Sequence, residues 1–191
     1  MKNKNKSFSL VELLLVSALL PFAGLVIYGT FNSATKIYQR LNQNIFLEEI
    51  NFFLDNFRKD LKDTLVFNGI AFKGESKRLE FASFVYEDFC QAQLPGKIIY
   101  QYDPYKKVLQ CQRFSYTKVF GISGQPQVTE LKGVVDLQFK YYYYKPETKE
   151  FVWEESALYD KLPLAVRVDF ALEHDGKENP FVYTVSLPIA S

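Results

Sequence analysis

The chain has one histidine, His174, and two cysteines, Cys90 and Cys111, in 191 residues. That scarcity removes several kinds of chemistry. A structural zinc site needs four ligands, and two Cys with one His do not supply them. A catalytic His needs a positioned nucleophile or carboxylate. His174 stands instead in EHDGKEN, which reads as a solvated turn. Glu173, Asp175, Glu178 and Asn179 bring oxygens to that stretch, but their spacing is not that of an EF-hand loop, so no calcium is expected. There is no P-loop, no GxGxxG and no GxSxG. Nucleotide binding and hydrolase action therefore have no motif to rest on. Net charge is also lacking. At +1 it gives no bulk electrostatic case for nucleic acid. The composition predicts no metal, no cofactor and no enzymatic activity.

Aromatic residues are abundant: 18 Phe, 13 Tyr and one Trp. Such residues favour strands, which predicts a β-rich domain. The basic residues are unevenly placed. Lys2, Lys4 and Lys6 precede the first apolar run, and without them 20 basic residues face 22 acidic ones. From Phe8 to Phe31 the chain reads FSLVELLLVSALLPFAGLVIYGTF, with Glu12 its single charge. As a helix this run spans about 36 Å, enough for a hydrocarbon core of ~30 Å. The lysines ahead of it predict a cytoplasmic N-terminus and an exported remainder, hence a single-pass protein of the inner membrane. A secretory signal peptide would have a shorter apolar core followed by a small-residue cleavage site. A plain anchor leaves Glu12 unexplained, because an unpaired carboxylate in lipid is costly.

The stretch KSFSLVELLLV resembles the type IV prepilin signal: a short basic leader, a small residue, Phe, three mostly apolar residues and Glu. Ser7 stands where that family usually has Gly. The resemblance implies a leader of residues 1–7, cleavage between Ser7 and Phe8 by a prepilin peptidase, and N-methylation of Phe8. It also implies that Glu12 meets the N-terminus of a neighbouring subunit during assembly, a pairing that would offset its desolvation. Pro21 lies inside the apolar helix, where it removes a hydrogen bond and is expected to produce a kink.

The helical pattern continues past the membrane. Ala34, Tyr38, Leu41 and Ile45 recur at helical spacing, and Phe46, Ile50, Phe53, Phe57 and Leu61 extend the stripe in a shifted register. One helix is predicted from about Ser9 to Asp63. Residues 8–31 form its membrane part, and residues 32–64 form a soluble part that packs one face on a β domain. The β domain covers residues 65–191. Candidate strands are 69–72, 78–86, 97–103, 108–116, 134–145, 151–154, 164–173 and 181–187. Pro104–Lys107 and His174–Lys177 are predicted turns, and Gly121–Gln127 a loop. The fold class is α+β: a long N-terminal helix on antiparallel sheet, in the manner of pilins. Tyr141–Tyr144 reads as one strand whose alternate residues face core and solvent, with a sugar-binding or partner surface as the alternative.

The β region adds to the resemblance. KIIYQYDPYKKVLQCQR resembles a minor pilin and pseudopilin pattern of apolar-x-Tyr alternation, a turn and Leu-x-x-x-Arg. LKGVVDLQFKYYYYKPETKEFVWEE and LPLAVRVDFAL resemble segments of the J-type minor pseudopilins of type II secretion, with Pro163 and Arg167 on matching places. That resemblance implies a structural subunit at the tip of a periplasmic pseudopilus. Its partners would be the I-type and K-type minor pseudopilins, the major pseudopilin, the prepilin peptidase and the inner-membrane assembly platform. The W-type minor pilins of type IV pili share the leader and the first β pattern, and a competence pseudopilus remains a further alternative. So does an unrelated membrane-tethered binding domain or enzyme. In an oxidising compartment Cys90 and Cys111 are candidates for a disulfide, with two free thiols as the alternative.

Overall fold

The computed structural model describes residues 9–121, 125–157, 161–174 and 176–188, leaving aside the side chains of residues 39–44. The chain divides into two compact units, Met1–Glu48 and Glu49–Ser191. It is an α+β protein, as its sequence predicts: a long apolar N-terminal helix followed by antiparallel sheets.

Helix α1, Leu10–Lys62, carries Pro21 in its interior and Lys59 and Lys62 in its last turn. The lysines suit the negative end of the helix dipole. Pro21 has no N–H, so the Ser17 carbonyl lacks its usual intrahelical donor, yet helical structure runs on through it.

The second unit begins inside α1. Ile50, Phe53, Phe57 and Leu61 recur every three or four residues and are almost completely buried. Burying each contributes roughly 1.5–3 kcal/mol. They are the core face of the helix, as the stripe predicts. The unit's strands are β1 (Lys73–Gly74), β2 (Arg78–Glu87), β3 (Ala92–Asp103), β4 (Val108–Phe114), β5 (Gln127–Lys132), β6 (Val134–Lys145), β7 (Glu150–Glu154), β8 (Ala165–His174) and β9 (Lys177–Ser186). A short helix, α2 (Tyr116–Phe120), follows β4. The strands form two antiparallel sheets, β1-β2-β3-β4-β5 and β7-β6-β8-β9. Phe57 reaches both. Its ring lies edge-on to Tyr100 of β3 at 5.0 Å and stacks toward Phe139 of β6 at 6.2 Å.

The predicted turn at Pro104–Lys107 is present, and the residues flanking the second pair as expected, although its Asp175 lies outside the described residues. Asp103 pairs with Val108, and the Asp103 carboxylate accepts the backbone N–H groups of Tyr105 and Lys106 at 3.0 and 3.1 Å. His174 pairs with Lys177. Three expectations need correction. Residues 69–72 are not a strand, because Gly69 has φ +96° and Phe67 bridges to Ile70; the edge strand is β1, just beyond. Residues 115 and 116 do not extend β4, because the chain turns into α2 there. Gln127 is not loop but the first residue of β5, paired with Arg113; residues 122–124 of the expected loop lie outside the described residues.

Candidate assembly surfaces

Within the first unit, Leu10–Tyr38 is a helical stretch of 29 residues, long and apolar enough to cross a membrane, with none of it buried. Three of its hydroxyls bond to carbonyls inside the helix. Ser17 donates to the Leu14 carbonyl at 2.9 Å, Thr30 to Ile27 at 2.8 Å and Thr35 to Phe31 at 2.8 Å. That is what an apolar medium requires of a polar group.

Glu12 has a local partner in Ser9. The Ser9 N–H donates to the Glu12 carboxylate at 2.9 Å, and the Glu12 N–H donates to the Ser9 hydroxyl at 3.2 Å. This reciprocal pair is a capping box, and its signature Ser-x-x-Glu stands in the sequence as SLVE. Two otherwise orphaned helix-terminal donors are satisfied by it. Ser7 and Phe8, the predicted cleavage and methylation residues, lie outside the described residues.

Within the second unit, the end of α1 is tied to the first sheet by one carboxylate. Asp60 accepts the Tyr100 hydroxyl at 2.6 Å and Arg113 Nη2 at 2.6 Å, with Arg113 Nε at 3.4 Å. The Asp60 and Arg113 side chains are only 10% and 15% exposed. The Asp60 backbone carbonyl accepts the hydroxyls of Ser83 at 3.0 Å and Thr64 at 3.4 Å. Burial, with the neighbouring Cys111 and Asp60, pushes the Tyr100 phenol well above its ordinary range, so it stays a donor. The Tyr and Arg of the KIIYQYDPYKKVLQCQR pattern thus meet on one acid, and Leu109 of that pattern is buried.

Of the two alternatives for Cys90 and Cys111, the structure has the free thiols and not the disulfide. Cys111 is buried in β4 opposite Tyr100, whereas Cys90 is exposed in the β2–β3 turn. Eight residues of β3 separate Ala92 from Tyr100, roughly 27 Å of strand. A disulfide needs Cα atoms within about 7 Å. Burial pushes the Cys111 thiol up to about 12, which keeps it un-ionised.

The outer face of the second sheet carries the other candidate surface. Tyr141 and Tyr143 are buried while Tyr142 is half-buried and Tyr144 exposed, so the tyrosine run alternates as predicted. Tyr142 pairs with Trp153 and Tyr144 with Phe151 across β6 and β7. Ring centroids of Tyr142 and Trp153 are 4.8 Å apart, and those of Tyr144 and Phe151 5.0 Å. Arg167 stands beside this ladder with its guanidinium 6.0 Å from the Trp153 ring, bonded to Asp169 at 2.5 Å. Lys140 reaches the same carboxylate at 3.2 Å. Partial burial disfavours the Asp169 charge, but the bonds from Arg167 and Lys140 outweigh it and hold the carboxyl below its ordinary value. Exposed aromatics clustered in this way mark interaction surfaces more often than isolated ones do.

No protein-family profile matches the chain, and no curated protein matches it.

Proposed function

We propose that this chain is a structural assembly subunit of the minor pseudopilin type and not an enzyme. It works at the tip of a periplasmic pseudopilus in type II secretion. The observation that carries the reading is a single helix, Leu10–Lys62, with two different surfaces. Its first 29 residues are apolar and unburied, and its last turns are the core of a β-rich unit. An apolar helix of that kind suits anchoring in the inner membrane followed by bundling with like helices in a fibre. The sequence motif adds direction, with the leader lysines keeping the N-terminus cytoplasmic and the β unit periplasmic.

On this reading, prepilin peptidase cuts between Ser7 and Phe8 and Phe8 is methylated. Glu12 then exchanges its capping contact with Ser9 for the positive N-terminus of a neighbour and so sets the register. The partners are the I-type and K-type minor pseudopilins, the major pseudopilin and the assembly platform. The test is the intact mass of the full-length product from membranes of a peptidase-positive host. A product beginning at methylated Phe8 is expected. A product that retains Met1–Ser7 overturns the reading and favours an unrelated tethered protein.

A further inference from the structure

Among the described residues, β7 forms one edge of the second sheet, and no described strand pairs its outer side. It differs from the other edges. β9 carries Lys177 and Pro180, β5 carries Glu130 and Lys132, and β1 is two residues long. Lysine, proline and shortness are the usual means of blunting an edge against further pairing. β7 reads Glu150-Phe151-Val152-Trp153-Glu154, with neither Lys nor Pro; its only charges are the two glutamates, of which Glu154 already pairs with Lys145 of β6. Phe151 is 57% exposed and Trp153 39%.

We propose that β7 accepts one more antiparallel strand, supplied by another protein, in which basic residues flank an apolar centre. The pattern follows from the pleat. Phe151 and Trp153 point to the outer face, where they extend the ladder begun by Tyr144 and Tyr142. Glu150, Val152 and Glu154 point to the other face. An added strand therefore sets apolar side chains beside the two rings and basic ones beside the two carboxylates: Lys or Arg, apolar, any, apolar, Lys or Arg. Main-chain bonds supply affinity, and the alternating side chains supply selectivity.

A second copy of this chain does not fit. Two β7 strands related by a two-fold axis through Val152 place Glu150 of each against Glu154 of the other. Like charges directly opposite are destabilising. The acidic ends thus act against self-pairing while favouring a basic-flanked strand. This sheet edge is independent of the role proposed for α1.

Trp153 is the only tryptophan in the chain, so its fluorescence reports this strand directly. The full chain in detergent micelles is titrated with two capped peptides, Lys-Ile-Thr-Ile-Lys and Glu-Ile-Thr-Ile-Glu. A saturable change in Trp153 emission is expected with the first. Binding of the second should be about tenfold weaker, the effect of two like-charge pairs at a few tenths to one kcal/mol each. Glu150→Lys, an exposed change, should bring the two peptides close to parity. Equal binding by the unaltered chain, or no response to the lysine peptide, overturns the proposal. A concentration-dependent change in Trp153 emission without peptide also overturns it, because self-pairing is then the use of the edge.

Discussion

Removing the Asp60 carboxylate should loosen the second unit more than any other single polar change. Asp60→Ala leaves the Arg113 guanidinium, 15% exposed, with its ion-pair partner gone and the Tyr100 hydroxyl without its acceptor. Breaking a buried pair from one side costs roughly 3–5 kcal/mol, because the surviving charge stays desolvated. For a unit of this size each kcal/mol lowers the melting temperature by about 2–4 °C, so a fall on the order of 10 °C is expected. Asp60→Asn retains an acceptor and should cost less. The double change Asp60→Leu with Arg113→Met removes both charges and should recover much of the loss. The assay is thermal and urea unfolding of the full chain in micelles, followed by the near-ultraviolet signal of the buried tyrosines. A loss below about 1 kcal/mol for Asp60→Ala would put the pair in the range of exposed ion pairs and refute the argument. Additive single and double changes would also refute it, since residues sharing a bond must couple.

Three further outcomes follow from the geometry. In the native chain a thiol reagent should modify Cys90 quickly and Cys111 only on unfolding; a non-reduced mass lacking two hydrogens would show a disulfide instead. Glu87 is held below its ordinary value of 4.5, chiefly by accepting the Thr117 N–H at 3.0 Å and hydroxyl at 2.8 Å. Its contribution to docking α2 is full above pH 4.5 and should be lost as pH falls through the lowered folded value, which exchange of the Thr117 amide would follow; protection unchanged through that fall would count against the contact. Gly74→Ala would drive a Cβ into the Tyr141 ring, so a loss of roughly 1–3 kcal/mol is expected in unfolding experiments; an unchanged midpoint would mean that the ring moves freely.

Local patterns were enough for much of this protein. The apolar run and the 50, 53, 57, 61 stripe announce a membrane-capable helix whose end packs on a sheet, because helical period is a property of neighbours a few residues apart. The alternation of Tyr141 to Tyr144 and the turn at Asp103 are legible for the same reason. The capping box is legible too, as SLVE, because its two partners lie three residues apart. Asp60 left a fainter trace: a carboxylate between Phe57 and Leu61, inside the apolar stripe. What it binds was not legible, since Tyr100 and Arg113 lie 40 and 53 residues away. The structure alone decided that β5 joins a sheet, that Glu87 caps α2, and that Cys90 and Cys111 stay apart. Each of those depends on strand register, which sets one residue against another across the chain. Period tells which way a side chain points, and only the folded pairing tells what it meets.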